Sequence, residues 1–293
     1  MTPFTLFVWI VTCLIWSTVW LFIKLGVRDI PPVTFAAYRL GISLAVLVPI
    51  TLVRRRPLPR DARDYVLIAA TGVVLLGVNY ALLNWGIQFI SSGLTAVLQA
   101  MTPAFGMVFA HYLLDDERMT PVKSAALAIG IAGIAIIFWD QLDVAGDRAL
   151  QGSVTVVGGA VCVAGAYVAM RRHGSHLDSS VITAGQMLAA IGPLLLYAFW
   201  QEGNPLAVNW TTTAFGSVVY LAMLGCVGGV LNYWLLKRIG ATRLLVMGLI
   251  EPFIAVLLGA AVLDEVLHGR AAVGGVLILI SVALALDVLK IRR

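Results

Sequence analysis

Ten apolar blocks of about twenty residues, separated by loops of at most about a dozen, decide what this chain can fold into. They run roughly over 4–24, 33–53, 65–85, 92–113, 121–139, 152–170, 179–200, 213–236, 243–263 and 271–289. At 1.5 Å per helical residue, each block matches a hydrocarbon core of about 30 Å. Hydrophobic residues make up 60% of the 293 and charged ones 12%, against about 25% charged in soluble domains. A transmembrane barrel would show segments of about ten residues with alternating polarity, a pattern absent from this sequence. The expected fold is therefore all-α and integral to a membrane, with ten spanning helices and almost nothing left for a soluble domain.

The punctuation between blocks agrees. Pro31-Pro32, the run Arg54 to Pro59, and Gly203-Asn204-Pro205 are chain breakers in loops. Thr120-Pro121 reads as an N-cap followed by proline at the first helical position. The first block opens at Phe4 without a basic leader or a small-residue cleavage site after it, so it is expected to stay as a helix. If the N-terminus lies on one side, that side collects fifteen Lys and Arg residues in its loops and the other side four (Lys24, Arg28, Arg148 and Arg270). The positive-inside rule then puts both termini in the cytoplasm. The net charge of +5 is thereby assigned to topology, and no nucleic-acid partner is expected.

A pattern recurs. Ser92–Pro121 and Ala241–Arg270 are both apolar helices with a proline near the middle, Pro103 and Pro252, and a Leu-Asp acidic turn near the end, at Leu114-Asp115 and Leu263-Asp264. Asn79-Tyr80 is echoed by Asn232-Tyr233. The fourth and ninth blocks are separated by an odd number of crossings, so the two copies traverse the membrane in opposite directions. The expected organisation is two five-helix repeats of inverted topology, 1–145 and 146–293, the architecture that lets one scaffold alternate between inward-open and outward-open states.

Trp16-Ser17 in the first block, Pro32 through Arg39 leading into the second, and the two proline-to-acidic segments together resemble the drug/metabolite transporter superfamily in its ten-helix form with two EamA-type domains. The likeness extends over nearly the whole chain, and one departure is Glu251-Pro252, where such transporters usually place a small residue before proline. Within that family the chain looks most similar to exporters of amino acids, aromatic ones especially. The resemblance implies the cell membrane, in bacteria the inner one, as its location.

Function must sit inside the bundle. Pro103 and Pro252 remove helical partners from the carbonyls of Gln99 and Gly248, and a freed carbonyl at membrane depth needs protein, water or a ligand; each proline is a hinge candidate, with a packing kink as the alternative. Glu251 lies about eight residues into its block, roughly 12 Å deep. A carboxylate there could bind an amine, exchange a proton, pair with Arg39 or a helix dipole, or serve as a structural hydrogen bond. Arg39 reads as a structural charge. Asn79, Tyr80, Gln99, Thr102, Gln186, Asn232 and Tyr233 are uncharged polar candidates for a substrate cavity, with interhelical hydrogen bonding as the alternative. Trp16, Trp20 and Tyr167 are candidate aromatic walls, whereas Trp139, Trp200 and Trp210 fit interfacial belts. Asp115-Asp116-Glu117, beside Arg118, reads as a solvated helix end with an ion pair.

No Gly-x-x-x-x-Gly-Lys-Ser/Thr loop occurs, so no ATPase partner is implied. No catalytic motif, metal-ligand spacing or cofactor motif is present, which counts against an intramembrane enzyme. A single chain with an inverted repeat counts against a channel. The reading is a secondary transporter of small molecules, amino acids first, with drugs or other small metabolites as the alternative cargo.

Overall fold

The computed structural model describes residues 1–86, 89–90, 95, 98–137, 139, 148–251, 253–254 and 269–285. Every regular element among them is helical: α1 (Pro3–Gly26), α2 (Pro32–Val53), α3 (Ala62–Gly72), a π-helical stretch (Val73–Val78), α4 (Asn79–Gly86), α5 (Thr102–Leu113), α6 (Pro121–Ile137), α7 (Ala149–His173), α8 (Ser179–Glu202), α9 (Thr212–Leu245) and α10 (Gly269–Ala285). Five described helical stretches are long and apolar enough to cross a membrane: Pro32–Val53, Ala62–Leu83, Ala149–His173, Ser179–Glu202 and Thr212–Leu245. Shorter apolar stretches occupy Pro3–Val19, Pro121–Ile136 and Val273–Ala285.

Three elements differ in detail from the block reading. The third block contains a π turn, where i→i+5 bonding widens the helix. The fourth is broken by a turn at Ala100-Met101, so that α5 starts at Thr102. The eighth and ninth meet without a loop inside α9, across a kink at Gly240.

Packing groups the chain into two compact units. The first comprises Met1–Asn84 and Ala169–Arg238, the second Trp85–Val168 and Ile239–Arg293. Each draws on both halves of the sequence.

In the first unit α2 and α8 run antiparallel. Their contact is a stripe of small and branched residues: Val33, Ala37, Leu40 and Leu47 meet Ala184, Met187, Ala190, Leu194 and Ala198, joined by Cys226 of α9. A second cluster joins Val19 of α1 and Phe35 of α2 to Ala214, Val218 and Leu221 of α9. The opposite face of α8 is no more polar. Leu196 is 75% exposed and Trp200 76%. A helix apolar all round, small inside and large outside, is made for hydrocarbon. Gly72 lets α3 come against α8, since a Cβ there would sit 2.5 Å from the Cα of Gln186.

Both ends of the α2–α8 pair are tied. The first N–H groups of α2 have no cap from their own segment, because Pro31 and Pro32 precede them. The Glu202 carboxylate supplies it from the end of α8, accepting from Val33 N and Thr34 N at 2.8 Å each. At the other end Asp178 caps α8, accepting from Ser180 N at 2.9 Å, and Arg56, just past α2, lies 3.6 Å from its other oxygen. Burial pushes the Asp178 carboxyl upward, but the Ser180 hydroxyl, the two backbone N–H groups and Arg56 outweigh it and hold the pKa below the usual carboxylate range.

In the second unit α6 packs along α10, and the fully buried Ser281 hydroxyl donates to the carbonyl of Ala126 at 2.5 Å.

Candidate functional site

Most of the polar side chains singled out from sequence are hydrogen-bonded to one another or to backbone, and several of these bonds join helices. In the first unit the indole N–H of Trp16 on α1 donates to Asn232 Oδ1 on α9 at 3.3 Å. Gln186, 2% exposed at mid-α8, is saturated from two sides. Its amide N–H₂ donates to Thr71 Oγ1 at 2.9 Å, and its Oε1 accepts from the Tyr233 hydroxyl at 2.6 Å. Thr71 passes the chain on to the carbonyl of Leu67. Such a Thr–Gln–Tyr chain across α3, α8 and α9 answers both ends of the buried Gln186 amide, as low-dielectric surroundings require.

The π stretch carries the less complete part. Asn79, the first residue after it, donates from Nδ2 to the Leu75 carbonyl at 3.3 Å, while its Oδ1 is buried with no donor among the described residues. π turns displace the following side chains relative to a straight helix and are frequent at functional sites. The next residue, Tyr80, accepts a hydrogen bond from the Arg39 guanidinium of α2. Arg39 Cζ lies 5.4 Å from the Tyr80 ring centroid. Ser43 fixes the backbone below, donating to the Arg39 carbonyl at 2.8 Å.

In the second unit Gln99 donates to the Val156 carbonyl of α7 at 3.3 Å. Its own carbonyl, which Pro103 cannot serve, accepts instead from the Thr102 hydroxyl at 2.6 Å. Pro103 stands in the first turn of α5, where its missing N–H costs little. Glu251 is half-buried, one turn beyond a break at Val246, and no cation of its unit pairs with it among the described residues. Tyr167 is half-buried on α7. Pro252 lies outside the described residues, as does the side chain of Trp20.

The acidic turn after α5 departs from the sequence reading. Glu117 is 7% exposed and caps a helix far along the chain. Its Oε1 accepts from Ala241 N at 2.6 Å and its Oε2 from Thr242 N at 2.7 Å. Gly240, at φ +85°, turns the chain so that these two N–H groups point at the carboxylate. Glu202 and Thr71 are the residues that sequence reasoning missed, and Glu117 is the one to which it gave the wrong role. For Glu202 a signal existed: an acid in the last turn of a helix opposes that helix's own dipole, so it needs another helix's N-terminus to answer it.

Comparison with known proteins follows the same lines. The family model described as the EamA-like transporter family matches residues 3–139 and again 150–286. The chain is 29% identical over 270 residues to the Bacillus subtilis (strain 168) protein named uncharacterized transporter YoaV, covering 90% of each chain. It is 28% identical to the uncharacterized inner membrane transporter YedA of Escherichia coli (strain K12), covering 87% of this chain and 81% of that one. It is 24% identical to protein PagO of Salmonella typhimurium, covering 88% and 83%. A solved crystal structure of a protein 20% identical in sequence superposes over the whole of both chains with a TM-score of 0.83, which establishes the fold.

Proposed function

The chain belongs to the EamA-like transporter family, and we propose that it is a secondary transporter exporting or exchanging small metabolites, amino acids first and aromatic or hydrophobic ones above all. The observation that carries this reading is the concentration of amide, phenol, indole and guanidinium groups inside helices whose outer faces are lipid-like. Uncharged amides and phenols can hold a carboxylate and an amine without burying further net charge. The aromatic side chains Trp16, Tyr80 and Tyr233 supply faces on which an aromatic cargo could stack.

In this proposal ten helices, both termini cytoplasmic, form two inverted repeats over 1–145 and 146–293. Their exchange of roles opens a central cavity to one side and then the other. Trp20, Gln99, Thr102 and Tyr167 complete the candidate cavity set, and Pro103 and Pro252 are the hinges. Glu251 is the coupling residue, a half-buried carboxylate on the segment that follows the break at Val246. Family and relatives speak for transport rather than catalysis, and no cofactor enters the scheme.

The test is uptake into proteoliposomes across a panel of the amino acids, with a second panel of amphipathic drugs and small metabolites. Uptake of amino acids, fastest for aromatic ones, is the expected result. Transport confined to the second panel transfers the cargo to drugs or other metabolites, and no uptake of any solute overturns the transport reading.

A further inference from the structure

Among the described residues, Arg39 has more donors than partners. It is the eighth residue of α2, about 10 Å along the helix from Pro32, and is 8% exposed. Its neighbours on α2, Ala37 and Leu40, belong to the apolar cluster shared with α8, and Tyr80 packs against the same cluster. A guanidinium is permanently charged and offers five N–H donors in a planar fork. Among the described residues one hydrogen bond goes to the Tyr80 phenol, a neutral partner, and no carboxylate of its unit reaches it. Charge at membrane depth is kept where it answers a partner or a cargo.

The second observation lies one residue from that phenol. Asn79 has spent its N–H₂ on the π stretch and holds a buried, unanswered Oδ1. The rest of the polar set in this unit is differently placed: Gln186 is satisfied on both sides, and the Trp16 indole is committed to Asn232. The first two residues of α4 therefore carry, next to each other in sequence, a spare acceptor and the phenol that holds a cation with spare donors.

We propose that Arg39 is the anchor for a carboxylate on the cargo, with the Asn79 Oδ1 receiving an N–H of the same molecule. The class of substrate is thus a small carboxylic acid bearing a donor nitrogen, of which an amino acid is the simplest member. Planar carboxylate matches the guanidinium fork in bidentate fashion. A more highly charged anion fits less well, because Asn79 presents an oxygen and the cluster around Tyr80 is apolar. Tyr80 is the positioning residue, holding one edge of the fork and leaving the rest open.

This inference rests on the transport reading for its meaning and is tested separately from it, by binding. The full-length protein in detergent is followed by thermal unfolding with a panel of amino acids and short or aromatic carboxylic acids, each beside its carboxamide; L-phenylalanine, 3-phenylpropionate and L-phenylalaninamide form one such set. Carboxylates are expected to raise the unfolding midpoint of the wild type, their amides to do so at least tenfold less potently, and Arg39→Gln to abolish that preference. Arg39→Lys, which keeps the charge and loses the fork, should retain the order of ligands at reduced potency. The proposal is overturned if no carboxylate protects the wild type better than its amide, or if a folded Arg39→Gln protein keeps the preference. If Arg39→Gln does not fold, Arg39→Lys decides: undiminished carboxylate potency in that variant overturns the proposal. Carboxylate-selective binding without uptake would sink the transport reading and leave this one standing; uptake with indifference to the carboxylate would do the reverse.

Discussion

Glu202 serves Thr34 twice: one carboxylate oxygen accepts both the backbone N–H and the hydroxyl of that residue, each at 2.8 Å. The other oxygen accepts from Val33 N at the same distance. A proline-led helix start, which cannot cap itself here, is thereby completed by the far end of its packing partner. Glu202→Gln keeps only one oxygen acceptor and brings an N–H₂ toward donors, so it should lower stability by about 1–3 kcal/mol. Thr34→Val should cost less, because the N–H bonds survive. Thermal unfolding in detergent checks both, and a larger loss from Thr34→Val than from Glu202→Gln would refute the clamp.

Gly240 is the corresponding necessity in the second unit. Its φ of +85° is one that side chains resist, and a Cβ there would lie 2.4 Å from Glu117 Oε1. Gly240→Ala must either strain the backbone or push the carboxylate off the N–H groups of Ala241 and Thr242, at a cost of about 1–3 kcal/mol. Gly216, near the start of α9 with open space where a Cβ would go, is the control: alanine there should be neutral or stabilise by up to about 1 kcal/mol. Equal effects in unfolding experiments on the two variants would refute the argument.

These two clamps also mark where sequence reading stops. The described helices are legible where a block is long and apolar, and α2 and α8 fall within a few residues of their expected limits. The kink at Gly240 is not, since Lys237, Arg238 and Arg243 look like a loop while the chain turns on a single positive φ. Glu117 and Ala241 are 124 residues apart, and no local pattern announces such a pairing; Glu117 therefore reads as one more solvated acid. The same holds for Gln186 and Tyr233. Each is recognisable alone as a polar residue in an apolar helix, and only packing reveals that they satisfy one another. Among the described residues of the first unit, Arg39 and Asn79 emerge by that subtraction as only partly matched.

Asp178 should give the protein a pH-dependent term. Its carboxyl is held below the ordinary value by the Ser180 hydroxyl, two N–H groups and Arg56, in spite of burial. A depressed folded-state pKa means that the unfolded chain binds the proton more readily, so the stabilisation is full above the ordinary carboxylate pKa of about 4 and is lost as pH falls through the lower, folded value. Asp178→Ala should lower stability at pH 7 by about 1 kcal/mol of cap energy, and the gap to wild type should close with acidification below about pH 4. Arg56→Ala should have little effect, since the Arg56 end of that pair is exposed. A gap that persists unchanged to low pH would show that the cap does not depend on the charge.

Glu251 offers the sharpest test of coupling. It stands half-buried on a short helical segment after the break at Val246, and within its unit no described cation is there to keep it occupied as an ion pair. Glutamine at this position has the same shape and hydrogen-bonding reach but neither a charge nor a proton to exchange. If cargo movement is tied to a proton through Glu251, Glu251→Gln proteoliposomes should retain exchange of cargo across the membrane while losing accumulation driven by a pH gradient. The pH dependence of their uptake should flatten. If the carboxylate instead binds the cargo's amine, the variant should raise the KM for amino acids, leave KM for carboxylic acids lacking the amine unchanged, and preserve the pH profile. Unaltered KM and an unaltered profile together would remove Glu251 from both roles and return it to a structural hydrogen bond.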